Sequence, residues 1–292
     1  MELRETITRI GDHEIHLRSI VGINTTIIFP GMGMMFDIGT ILPKSTKIKR
    51  VFISHGHMDH IGAIGLHISH RALAGMGRAT YIVPGSIVGK VETLIHSFQG
   101  VDESELRCQI LGIDDRMDMG NSYYATTFKT NHRVDSQGYI IWKNKTVLKP
   151  ELKEKLQQQL ITQKDIQEYR KAGMDITVLD HGAEIAYTGD TTLDGISAEA
   201  KNAKILIMEM TFVGDDVSIE KARERGHIHL YELRDNFDTF KNQYIIMTHF
   251  SPRYSIPKIF SELYKNLPPS FLEKVYLGIG DSIFKFENPV LQ

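Results

Sequence analysis

Residues 51–61 read VFISHGHMDHI, which places His55, His57, Asp59 and His60 within six consecutive positions. Imidazole nitrogens and a carboxylate oxygen are donors suited to a borderline divalent cation such as zinc. A turn lets such closely spaced side chains converge, whereas a helix spreads them around its circumference. Val51, Phe52 and Ile53 run almost directly into the cluster and read as a buried strand. The donors therefore fall at a strand end, where sites are commonly built. The expectation is a catalytic metal centre.

The rest of the chain must supply a core and any missing ligands. At 292 residues, with 41% hydrophobic and 24% charged positions, it has the balance of a soluble globular protein that can bury a full core. No apolar run approaches the ~18–20 residues needed to span a bilayer. The opening MELRETITRIGDHE mixes charges of both signs and lacks the apolar stretch of a signal peptide. The single cysteine, Cys108, rules out an internal disulfide and a Cys-rich zinc framework and suits a cytoplasmic setting. Metal ligands must then be His, Asp or Glu. A net charge of -2 gives no global attraction to nucleic acid, so an RNA substrate would require a local basic patch.

Short β-branched and aromatic runs predict strands at 15–20, 25–29, 34–38 and 51–54, then at 80–83, 109–113, 123–130 and 139–142. Helices are predicted at 62–74 and 86–98, the latter with Ser86 as N-cap. The interval 143–173 is charged and carries two helical patterns, 150–160 and 164–172, with Thr162 capping the second and Gly173 ending it. Strands at 176–179, 184–188, 203–209, 244–248 and 274–277 then alternate with helices at 229–240 and 257–266. The pattern predicts an α/β (α+β) αββα sandwich, two mixed sheets flanked by helices. We read residues 1–292 as one domain with a lysine-bearing helical insertion at about 143–173.

Other predicted strands end in the same way as the first. His132 follows the strand at 123–130, Asp190 follows 184–188, and His249 follows 244–248, each the first ionisable residue after its strand. Asp37 in MFDIG is expected either to orient a metal-binding His or to cap a turn. His13, His16, His67, His70, His96 and His181 lack such context and read as solvated or core histidines.

HGHMDH, a lone downstream His, TGDT and THFSPRY together resemble the metallo-β-lactamase superfamily. THFSPRY, SQGY, TGDTT and the pair MEMTF and GHIH resemble the short form of tRNase Z, the endonuclease that matures tRNA 3′ ends, across nearly the whole chain. The resemblance implies that His55, His57 and His132 bind one Zn2+, that Asp59, His60 and His249 bind a second, and that Asp190 bridges them. The same donors accept Mn2+ or Fe2+. It gives Asp59 a further task on the attacking water. MEMT stands where the family reads HEAT and GHIH where it reads GHST, which puts forward Glu209 and His227 as the pair that serves the leaving group. His229 competes with His227, but the motif and the preceding Gly226 favour His227.

The resemblance further implies precursor tRNA as substrate, cleavage just after the discriminator base, a homodimer and no membrane. Many family members carry a Gly/Pro-rich arm between the positions of His132 and Asp190. Here that interval holds Lys143, Lys145, Lys149, Lys153 and Lys155 without a Gly/Pro-rich run, which reads as an arm-poor chain. The alternative activity is that of a small-molecule metallo-hydrolase on the same scaffold: a cyclic-nucleotide phosphodiesterase, or a thioester or lactone hydrolase. A non-catalytic binding protein would have lost ligands that this sequence retains.

Overall fold

The computed structural model describes residues 8–286. The shortest, most apolar runs form the middle of a six-stranded sheet. Its order is His16–Ile20, Asn24–Phe29, Met34–Phe36, Arg50–Phe52, Ala79–Ile82 and Cys108–Leu111. From Met34–Phe36 onward the strands are parallel, which explains their uninterrupted apolar sequence: helices and a second sheet cover both faces.

That second sheet has eight strands, ordered Ser282–Lys285, Val275–Ile279, Tyr244–Thr248, Ile205–Glu209, Thr177–Tyr187, Gln137–Leu148, Tyr123–Lys129 and Met117–Gly120. Thr177–Tyr187 through Val275–Ile279 run parallel. Between the sheets, Phe29, Phe36 and Phe52 meet Tyr139, Tyr187, Ile207 and Ile246. The Phe36 and Tyr187 rings stack at 4.8 Å. Burying each such side chain contributes about 1.5–3 kcal/mol. Helices Ile64–Leu73 and Val88–Asp102 cover the six-stranded sheet through Ile64, Ile68, Val91 and Ile95. Ile256–Asn266 and its neighbours cover the other through Ile259, Leu263 and Phe271. This is the αββα sandwich expected from the sequence, and among the described residues no helix is long and apolar enough to cross a membrane.

Several local expectations are corrected. The helix foreseen at 62–74 forms as Ile64–Leu73, but a separate helical turn not foreseen, Met58–Ile61, precedes it. Asp59 and His60 therefore stand on a helical turn, and only His55 and His57 lie on the extended segment before it. Ser86 is not an N-cap: it sits in the 3-10 turn Gly85–Ile87, its hydroxyl donates to Asp135, and the long helix starts at Val88. The helix placed at 229–240 is only Leu230–Arg234, followed by the 3-10 turn Phe237–Thr239.

The largest difference lies in the presumed insertion. The strands at 139–142 and 176–179 belong to longer ones, Gln137–Leu148 and Thr177–Tyr187, which pair out to Leu148 opposite Thr177. The neighbouring strands stop at Lys143 on one side and Ile185 on the other. From Lys145 opposite Asp180 outward the two strands form a ribbon paired with each other, carrying helices Pro150–Gln157 and Gln163–Lys171 at its far end. The second helix has a capping box between Thr162 and Asp165. The interval, read from the sequence as arm-poor because it lacks a Gly/Pro-rich run, is thus an arm built as a β-ribbon and helical only at its tip.

Candidate metal centre

The parallel strands deliver their C-terminal ends to one edge of the sandwich. Glu209, last in its strand, is in register with Thr248, so His249 follows alongside it. Asp190 lies just past Thr177–Tyr187, His132 just past Tyr123–Lys129, and His55 just past Arg50–Phe52. An isolated bridge between His55 and Ser136 ties the two sheets together here. All the candidate ligands named from the sequence converge, and so does the pair Glu209 and His227.

Two trios of donors are formed. His55 Nε2 lies 3.0 Å from His57 Nδ1, and His132 Nε2 lies 3.2 Å from that same atom. In the other trio, His60 Nε2 is 3.3 Å from His249 Nε2, with Asp59 Oδ2 at 3.5 Å and 3.6 Å from them. Asp190 faces both: its Oδ2 is 3.7 Å from His55 and 3.4 Å from His60, and its Oδ1 is 3.4 Å from His249. Ligands held about 2.0–2.1 Å from a tetrahedral ion stand roughly 3.3–3.4 Å apart. The observed spacings, 3.0 Å to 3.7 Å, bracket that value.

Hydrogen bonding on the far side of each ring sets its tautomer. Asp37, fully buried, accepts from the Ser54 backbone N–H at 2.7 Å, from the Ser54 hydroxyl at 2.9 Å, from His60 Nδ1 at 2.6 Å and from the Tyr187 hydroxyl. The Ser54 hydroxyl oxygen, its proton given to Asp37, accepts from His55 Nδ1 at 3.0 Å. His132 Nδ1 donates to the Gly226 carbonyl at 2.9 Å. Each of these rings is left presenting Nε2 inward. Backbone geometry serves the same end. Asp37 and His249 hold left-handed φ values of 54° and 59°, a strain that non-glycine residues bear where a site demands it. At Gly226, φ +73, a Cβ would lie 2.7 Å from His132 Nδ1.

The electrostatics suit a cation. Burial holds His55, His57 and His132 below the ordinary imidazole range, so they are neutral with free lone pairs, as ligation requires. Burial would raise Asp190, but the His249 and His60 charges beside it hold it well below the usual carboxylate range. Its ion-pair partners among the described residues are all imidazoles, with no Lys or Arg. A buried carboxylate surrounded by imidazoles fits the donor set of a divalent metal.

Beside the trios, Glu209, 1% exposed, accepts from His227 Nδ1 at 2.9 Å. It also accepts from the backbone N–H groups of Thr191 at 2.8 Å and Ile228 at 3.2 Å. Burial works against a charge on His227, but the charge and hydrogen bond of Glu209 prevail and lift it to about 9. His227 also forms a possible third donor group with Asp190 and His249. A ring that keeps its proton is a poor ligand and a good acid, so proton donation is the better use of it. His229 has a different role: buried, it caps Leu230–Arg234 and its Nε2 approaches the Gly214 carbonyl at 3.2 Å. His67 is buried between the Tyr81 hydroxyl and the Ser45 carbonyl, a core histidine as expected. Sequence reasoning did not single out Ser54, Tyr187 or Thr211, and it used Gly226 only to favour His227; adjacency to the motifs was the one hint of their roles.

Residues 36–250 match the Beta-lactamase superfamily domain, so fold and site together define a metal-dependent hydrolase of that superfamily. The chain is 36% identical over 274 residues to tRNase Z TRZ1 of Arabidopsis thaliana, covering 92% of this chain and 95% of that protein. It is 33% identical over 249 residues to the chloroplastic tRNase Z TRZ2 of the same plant, covering 82% and 68%. The chain belongs to the tRNase Z family. Among solved structures, human short-form tRNase Z is similar at TM-score 0.58 and 16% identity, covering 94% of this chain and 99% of that one. The metallo-beta-lactamase fold protein YhfI of Bacillus subtilis is similar at TM-score 0.61 and 15% identity, covering 92% and 99%. At those identities the likeness speaks for the fold.

Proposed function

We propose that this chain is a metal-dependent endoribonuclease that removes the 3′ trailer of precursor tRNA. The observation that carries the reading is the His227–Glu209 pair, 2.9 Å apart, set beside the double trio of ligands. Hydrolysis of an RNA phosphodiester expels a sugar alkoxide, a poor leaving group that needs a proton. A lactone or thioester hydrolase has less use for a separate acid, so the pair favours the phosphodiesterase over that alternative.

In this reading His55, His57 and His132 would hold one Zn2+, Asp59, His60 and His249 a second, and Asp190 both. Such a pair of ions, when bound, supplies electrophilic charge and lowers the pKa of a water. Asp59, whose Oδ2 accepts from the Gly22 backbone N–H at 2.8 Å, is positioned to orient the attacking water and take its proton. His227, partly open to solvent, protonates the departing 3′ oxygen from Nε2 while Nδ1 stays on Glu209. The products are a tRNA 3′-hydroxyl and a trailer 5′-phosphate. Arm residues Lys153 and Lys155, both exposed, bind phosphates distant from the chemistry. A homodimer, a cytoplasmic setting and one domain over 1–292 complete the proposal.

The test is cleavage of a precursor tRNA beside bis(p-nitrophenyl) phosphate, with and without chelator. Zinc-dependent cleavage of both is expected. Cleavage of the synthetic ester with none of the precursor would remove tRNA as the substrate and leave the metal chemistry standing.

A further inference from the structure

Thr211 lies two positions past the end of the strand Ile205–Glu209 and is 1% exposed. Its hydroxyl stands between the two halves of the site. The proton goes to Glu209 Oε2, at 2.5 Å. A hydroxyl has one proton to give, so the approach of His249 Nδ1 at 3.1 Å is an N–H donating to Thr211 Oγ1. His249 is thereby left with its Nε2 lone pair facing Asp190 at 3.4 Å. His227 Nδ1 is 3.4 Å from the same hydroxyl, but its nearer partner is Glu209 Oε1. One carboxylate thus serves the acid His227 through one oxygen and, through Thr211, the candidate ligand His249 through the other.

We propose that Thr211 is a positioning residue that couples the metal centre to the acid pair, setting the tautomer of His249 while holding Glu209 in line with His227. The inference rests on the metal-centre reading above. It assigns the coupling to the hydroxyl and not to the methyl, which separates it from a packing role. Loss of such an outer hydrogen bond to a ligating imidazole costs roughly 10–100-fold in metal affinity.

The experiment compares the full-length parent with Thr211→Val, which keeps the shape and loses the hydroxyl, and Thr211→Ser, which keeps the hydroxyl. Zinc affinity is read by competition with a coloured chelator, and turnover is read on precursor tRNA and on bis(p-nitrophenyl) phosphate. The valine variant is expected to bind zinc roughly 10–100-fold more weakly and to lose more turnover on RNA than on the synthetic ester, with serine restoring both. Parent-like zinc affinity in the valine variant overturns the proposal. So does a serine variant as impaired as valine, which would show that the hydroxyl does not carry the effect. A parent chain that binds no zinc sinks the metal-centre reading itself, a result distinct from either.

Discussion

Asp37 and His60 are joined across 2.6 Å between Oδ2 and Nδ1, both fully buried. The hydrogen bond ties the end of the third strand of the six-stranded sheet to the helical turn that carries Asp59 and His60. Since the same carboxylate accepts from Ser54, and Ser54 from His55, one acid orients an imidazole in each trio.

Asp37→Asn should therefore damage both proposed ion sites at once. The amide offers one acceptor oxygen in place of two and adds an unwanted donor facing His60. We expect zinc affinity to fall about 10–100-fold, with stability of the metal-free chain also lowered, because a buried donor losing its partner costs about 1–3 kcal/mol. Titration with zinc under chelator competition, alongside denaturant unfolding of the metal-free protein, reads the two effects separately. Unchanged zinc affinity would show that His60 and His55 need no such support.

The features legible in the sequence were those in which residue type and local context agree. Val51, Phe52 and Ile53 are apolar because the C-terminal end of the strand Arg50–Phe52 and the residue after it are buried on both faces, and the donors follow at once. His132, Asp190 and His249 repeat that grammar, which is why their convergence could be anticipated. The arm could not. Residues 144–148 and 177–181 are mostly exposed or half-exposed, so they carry no apolar alternation, and only the ladder from Asn144–His181 to Leu148–Thr177 makes them a ribbon. Ser86 looks like a helix cap because the type fits, but Asp135, distant in sequence, takes its hydroxyl. The roles of Gly226 and Thr211 are likewise set by what the fold brings beside them, not by their neighbours in the chain.

Glu184 provides a pH prediction away from the site. His13 at 3.2 Å and Lys204 at 3.1 Å hydrogen-bond its carboxylate and outweigh burial, lowering its pKa from 4.5 to about 2. A depressed folded pKa means that the unfolded chain takes up the proton first as the solution is acidified. The stabilisation is complete above about pH 4.5 and disappears progressively as the pH falls toward about 2. Glu184→Gln should be less stable than the parent at pH 6, and the difference should shrink on acidification; denaturant midpoints across that range measure it. A constant difference would mean that the carboxylate charge contributes nothing.

The arm prediction concerns binding alone. Lys153 and Lys155 lie on the exposed helix Pro150–Gln157, far along the ribbon from His132 and Asp190. Reversing both, Lys153→Glu with Lys155→Glu, should raise KM for precursor tRNA. It should also flatten the salt dependence by about 0.7–0.9 in log–log slope per phosphate no longer neutralised. Turnover of bis(p-nitrophenyl) phosphate should not move. If KM and salt slope are both unaltered, the arm helix does not touch the RNA.

The sharpest prediction separates the acid from the metal centre by choice of leaving group. His227 holds its Nδ1 proton on Glu209 and, lifted to about 9, remains an imidazolium at neutral pH. A ribose 3′ oxygen cannot depart as an alkoxide without the proton that this imidazolium gives from Nε2, whereas p-nitrophenolate leaves readily without one. His227→Ala should thus lower kcat on precursor tRNA by about 10²–10⁴-fold and leave the nitrophenyl ester within about tenfold of the parent. Glu209→Gln removes the charge that raises the His227 pKa, so the alkaline limb of the RNA profile should move to lower pH. The sign follows because activity requires the protonated ring, which is lost as pH rises through its pKa. An equal fall on both substrates for His227→Ala, with zinc content reduced, would instead make His227 a ligand alongside Asp190 and His249.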